Sequence, residues 1–97
     1  MHLLVIEDEL KLGDYLRKGL AESGFNVDLA RDGTEGLGMA LIGNYDALIL
    51  DVMLPGIDGF KVLETLRRSS SMPVLMLTAR DDVADRQQLV LHRHRQV

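Results

Sequence analysis

The 97-residue sequence predicts a single α/β domain built on a doubly wound parallel sheet, and three observations carry that prediction. Short apolar runs of five or six residues alternate with segments whose leucines repeat at helical spacing. The connections between them are short, which at this length favours an open wound sheet over a barrel. Carboxylates also stand at the ends of two apolar runs, and in such sheets the strand ends form the rim where ligands gather.

Residues 2–6, HLLVI, are too few for a helix and stop at the acids EDE, which marks a buried strand. Leu12, Leu16 and Leu20 recur at spacing four with Tyr15 alongside, so an amphipathic helix is expected over 9–22, closed by Gly24. Residues 25–30, FNVDLA, set Phe25, Val27 and Leu29 inward against Asn26 and Asp28 outward, the pattern of a half-exposed edge strand. After a turn at Asp32-Gly33, a weaker helix runs from Thr34 to Ile42 with Leu37, Ala40 and Leu41 on one face; Gly36 and Gly38 each cost it roughly 1 kcal/mol relative to Ala. A third strand at 46–50, a third helix at 59–68 carrying Phe60, Val62, Leu63 and Leu66, and a fourth strand at 73–78 complete the alternation.

Composition narrows the function. Hydrophobic residues make up 46% and charged residues 27%, which places the chain among folded domains rather than disordered segments. No apolar run approaches the roughly 20 residues that span a bilayer, and the opening MHLLVIEDE turns acidic too early for a signal peptide. A cytoplasmic location without a membrane partner is the expectation. The absence of cysteine excludes disulfides and thiolate metal sites. A net charge of −4 argues against direct DNA binding, because duplex recognition draws on a basic surface.

The acids need a separate explanation. Parallel strands bring their C-terminal ends to one rim, which collects Glu7 and Asp8, Asp51 and Thr78 from three strands. Carboxylates gathered without a basic neighbour repel and raise one another's pKa unless a cation sits between them. A hard divalent ion such as Mg²⁺ suits an all-oxygen set. Taken singly, each of these residues also reads as a helix cap.

The stretches VIEDE at 5–9, LILDVMLPGIDGF at 48–60 and PVLMLTAR at 73–80 resemble the receiver domains of two-component response regulators, CheY-like in fold. With ARDDVADR at 79–86 the wording is most similar to winged-helix regulators of the OmpR/PhoB class, particularly those serving copper and silver efflux. The resemblance covers residues 1–86 and implies strand order 2-1-3-4, leaving 87–97 as a divergent tail. It implies a phosphoacceptor role for Asp51, served by a histidine kinase, in a protein that is not itself an enzyme. It also implies Mg²⁺ bound by Asp8, Asp51 and the backbone carbonyl of Met53, assisted by Glu7. Thr78 would hydrogen-bond the new phosphate and act as the switch, with a helix N-cap as its plainer role. Pro55 and Gly59 would shape the loop beside the site.

The family continues through a fourth helix, a fifth strand ending in Lys-Pro and a fifth helix, whereas this chain passes after Arg86 into QQLVLHRHRQV. Its lysines are Lys11, Lys18 and Lys61, none placed to end a fifth strand, so the family's cationic partner for the phosphoryl oxygens and an aromatic switch residue are both missing. The competing reading is therefore a receiver-fold interaction or oligomerisation module that no longer signals. His92 and His94 in HRHR read as a solvated basic tail rather than a metal site, since a pair spaced by two shares a face only on a strand. A dehalogenase-type aspartyl-phosphate phosphatase wants a second acid two residues after the nucleophile, where Met53 stands.

Loss of the fifth strand exposes the edge of PVLMLT, which predicts self-association. Domain swapping of the tail is favoured over a fold-back of QLVLH, because a parallel crossover needs about ten or more residues. A tail that prolongs a fourth helix, with Val83, Val90 and Val97 on one face, is a further possibility.

Overall fold

The computed structural model describes residues 1–79 and 87–92, with side chains described through residue 77. Four parallel strands, β1 (His2–Ile6), β2 (Asn26–Ala30), β3 (Ala47–Asp51) and β4 (Val74–Ala79), alternate with three helices, α1 (Leu10–Glu22), α2 (Gly33–Ile42) and α3 (Gly59–Arg67). A last strand, β5 (Gln87–His92), completes the sheet in the order β2-β1-β3-β4-β5. The doubly wound 2-1-3-4 arrangement expected from the sequence is present, with element ends within two residues of expectation.

Side-chain alternation splits the sheet into two faces. Registered residues of neighbouring parallel strands share a face, so Leu4, Leu48 and Val74 form one row and Ile6, Leu50 and Met76 the next. All six are buried and pack with Ala40 of α2 and with Val62, Leu63 and Leu66 of α3. Gly36 of α2 lies so close to Ile6 that a Cβ there would collide with its side chain, so this glycine serves helix–sheet packing rather than merely weakening the helix. The opposite row, Leu29, Val5, Ile49 and Leu75, belongs to α1, whose Gly13 lies against Leu29. Here the covering stops short: Val5 is buried, while Ile49 and Leu75 are half-buried.

Three apolar residues assigned to helix faces point outward instead. Tyr15 is 74% exposed, Phe60 61% and Leu41 49%. Each lies at the margin of its helix's apolar stripe, where spacing alone does not say whether a neighbouring element reaches over it. Asp32 and Gly33 form a helix start rather than a free turn: Asp32 accepts from the Glu35 N–H at 2.7 Å.

The edge of β4 also departs from expectation. It is paired within the chain by Gln87–His92, and the pairing is antiparallel, Val74 opposite His92 and Ala79 opposite Gln87. The preference for swapping assumed a parallel replacement strand with a long crossover; an antiparallel strand returns after a short connection. The expected helical continuation is corrected at Val90, which lies in β5 opposite Met76, because the open edge of β4 offers this segment backbone partners; residues 80–86, His94 and Val97 lie outside the described residues, as do the side chains of Thr78 and His92.

Candidate functional site

Each acid reaches the rim for a local reason. Glu7 follows β1 directly, its backbone N–H donating to the Ala30 carbonyl at 3.0 Å as the β1–β2 ladder ends. Asp51 is the last residue of β3, and the next N–H, on Val52, still donates to the Leu77 carbonyl at 3.0 Å. The chain must then turn away at once. Gly56 takes φ +78°, which favours glycine, and Gly59 starts α3 so close to Asp51 that a Cβ would strike the Asp51 carbonyl. Gly59 therefore has a part in placing the acid that the turn reading of this loop did not disclose. Asp58 caps α3 by accepting from the Lys61 N–H at 2.9 Å.

The three carboxylates converge as the sequence predicted: Glu7, Asp8 and Asp51 each bring an oxygen within 4.8 Å of the others'. Glu7 is 1% exposed and Asp51 8%, whereas Asp8 is open to solvent. Glu7 Oε2 accepts from the Glu9 N–H at 2.9 Å and Asp51 Oδ1 from the Met53 N–H at 3.0 Å. Among the described residues, Glu7 Oε1 is buried without a hydrogen-bond partner. Burial, and then the neighbouring Asp51 and Asp8, push the Glu7 carboxyl up to about 7 against the pull of the Glu9 N–H. Burial also raises the Asp51 carboxyl.

These residues fit a small hard cation. The donor set is all oxygen, one buried oxygen is unsatisfied among the described residues, and mutual repulsion is relieved by positive charge. Met53 stands beside Asp51 through its amide, which puts its backbone at the site. Thr78 occupies β4 one residue past Leu77, with its side chain outside the described residues. A cleft of about 530 Å³ opens above the acids and is lined also by Lys11, Leu12, Tyr15 and Leu77. The first turn of α1 supplies Lys11 and Leu12, and their position three to five residues beyond Glu7 and Asp8 was the available signal for their presence.

Comparison with known proteins agrees with this geometry. The transcriptional activator protein IrlR of Burkholderia pseudomallei is 62% identical over 86 residues, covering 89% of this chain and 38% of that protein. The transcriptional regulatory proteins PcoR and CusR of Escherichia coli are each 51% identical, over 87% and 81% of this chain but only 38% and 35% of their own lengths. This chain thus spans less than two fifths of these curated relatives. Among solved structures, the receiver domain of Francisella response regulator 1452 superposes with TM-score 0.78 at 33% identity, covering 82% of this chain and 67% of that one. Response regulator TrrA of Thermotoga maritima, solved in complex with Mg²⁺-BeF, gives TM-score 0.78 at 34% identity over 86% of this chain and 73% of its own. With the response regulator receiver domain model matching residues 3–95, the chain belongs to the receiver domain family of two-component response regulators.

Proposed function

We propose that Asp51 is the phosphoacceptor of this receiver domain and that Glu7, Asp8, Asp51 and the Met53 carbonyl hold Mg²⁺ beside it. The observation that carries the reading is the convergence of three carboxylates with a buried Glu7 Oε1 that is unpartnered among the described residues. An Asp51 oxygen attacks phosphorus, the bond from phosphorus to the donor breaks, and an acyl phosphate forms. Mg²⁺, when bound, offsets the charge of the transferred oxygens. The chain's part is to hold Asp51 at the strand end: the Met53 N–H orients Oδ1, and the Gly59 backbone contact fixes the turn. Thr78, at the same rim, donates its hydroxyl to the new phosphate. The phosphodonor in the cell is a sensor histidine kinase, and the output is transcriptional control by a longer protein, as the relatives' names describe for them.

One observation favours a signalling-impaired second reading. Thr78 is paired across the sheet with Gln88 of an antiparallel strand, so the position facing the switch carries no cation. Phosphorylation and switching are therefore separable. Incubation with acetyl phosphate and Mg²⁺ followed by peptide mass spectrometry should show Asp51 modified and the Asp51→Asn variant unmodified; modification elsewhere only, or none, would overturn the phosphoacceptor reading. Backbone NMR shifts with beryllofluoride then report switching. Small changes around residue 78 identify the impaired form.

A further inference from the structure

We infer that Lys11 is a specificity-determining residue of the receiver site, the cation that draws anionic small-molecule phosphodonors into the acidic cleft and selects among them by charge; this rests on the phosphoacceptor reading of Asp51. Among the described residues the cleft is lined by four acids, Glu7, Asp8, Glu9 and Asp51, and by one cation, Lys11. A phosphodonor carries negative charge on its phosphoryl oxygens, so a cleft of acids repels it unless positive charge stands in its path. Bound Mg²⁺ offsets the acids themselves. Lys11 stands on α1 beside them, and its charge is present with or without the metal.

No contact among the described residues explains a lysine at this position. Lys11 lies in the first turn of α1, where the positive end of the helix dipole favours acids, and no acid stands in that turn. Asp14, three residues on and so its natural partner along the helix, is already engaged: Asp14 Oδ1 accepts from Arg31 Nη2 at 3.1 Å and from Arg17 Nη2 at 3.4 Å. Lys11 is exposed and forms no ion pair among the described residues. Nor does it neutralise the buried acids. Burial, the Glu9 amide, Asp51 and Asp8 set the Glu7 carboxyl, and burial, the Met53 amide, Glu7 and Asp8 set that of Asp51; Lys11 acts on neither. A local rule broken without a local gain marks a charge that acts on something outside the chain. The cleft it lines says what that is.

Two donors of different charge test this on the full chain at saturating Mg²⁺: acetyl phosphate, a dianion, and phosphoramidate, a monoanion near neutral pH. In both cases an Asp51 oxygen bonds to phosphorus. The bond broken is P–O in the first, releasing acetate, and P–N of the ammonio form in the second, releasing ammonia. Because the attraction scales with donor charge, Lys11→Gln should lower the second-order rate of Asp51 phosphorylation about fivefold for acetyl phosphate and only about twofold for phosphoramidate, at low ionic strength. Lys11→Arg should keep both rates. Lys18→Gln makes the same change in net charge outside the cleft and should also keep both. The Lys11→Gln loss should fade in about 1 M salt, where screening is effective beyond ~3 Å. Mg²⁺ affinity, measured by calorimetry, should move the other way and rise about twofold in Lys11→Gln, because a like charge has left the ion's neighbourhood. A merely structural role would weaken metal and donor together. Unchanged rates in Lys11→Gln, equal losses for the two donors, a loss that persists in high salt, or the same loss in Lys18→Gln would overturn the inference and leave Asp51 as the phosphoacceptor. A parent chain that neither donor modifies at Asp51 would overturn the phosphoacceptor reading and this inference with it.

Discussion

Glu7 and Asp51, 44 residues apart in the chain, stand at the ends of adjacent strands with carboxylate oxygens within 4.8 Å, and Glu7 Oε1 has no hydrogen-bond partner among the described residues. Two buried acids so placed destabilise the fold when both are charged.

The first consequence is a pH dependence without metal. Glu7 titrates at about 7 in the fold against 4.5 as its ordinary value, so the folded state binds its proton more tightly than the unfolded chain does. Its contribution is fully present below pH 4.5 and is lost as pH rises toward about 7, up to ~3 kcal/mol across that window. The raised Asp51 carboxyl acts in the same direction. Urea midpoints measured in EDTA from pH 4.5 to 8 should fall, and added Mg²⁺ should recover most of the loss at the upper end. A midpoint that rises across this range would show that the pair is not under strain.

Removing one charge should do in part what a cation does. Asp51→Asn is expected to stabilise the metal-free protein at pH 8 by about 1 kcal/mol, which for a domain this size is several degrees in Tm. Mg²⁺ should raise the Tm of the parent and leave the variant nearly unchanged. A variant that melts below the parent in EDTA would mean that the Met53 N–H contact to Asp51 outweighs the repulsion.

Two glycines in one helix should respond in opposite ways. Gly38 has open space where a Cβ would stand, so Gly38→Ala should add up to ~1 kcal/mol of helix stability. At Gly36 the new methyl meets the Ile6 side chain inside the packed layer, and overpacking should cost ~1–3 kcal/mol. Chemical denaturation of the two variants beside the parent measures both; equal effects would mean that α2 shifts freely on the sheet.

The opposite rim holds a polar clasp rather than a site. Asp28 accepts from the Tyr45 hydroxyl at 2.7 Å and lies 3.1 Å from His2 Nε2, and the His2 and Tyr45 rings are 4.5 Å apart. The Tyr45 hydrogen bond, before that of His2, holds the Asp28 carboxyl below its ordinary 3.8. Because Asp28 is partly exposed, Tyr45→Phe should cost only ~0.5–1.5 kcal/mol near neutral pH. That difference should shrink as pH falls below 3.8, where protonation removes the charge the hydroxyl serves. A difference constant from pH 7 to 3 would assign it to packing alone.

Much of this molecule is determined by its sequence. Alternation in HLLVI and FNVDLA and the Leu12–Leu16–Leu20 spacing report how each segment presents its side chains about its own axis, a local property. Because parallel strands share a rim, the acids after Ile6 and Leu50 had to meet once the sheet formed. What periodicity does not carry is the identity of the covering neighbour. Tyr15, Leu41 and Phe60 belong to their stripes by spacing, yet they are exposed because no described element reaches over them; Gly36 and Gly38 look alike until Ile6 is found beneath one and nothing beside the other. The direction of β5 was likewise settled in three dimensions. An exposed edge accepts a strand of either sense, and it is the short return from Ala79 to Gln87 that admits only the antiparallel one.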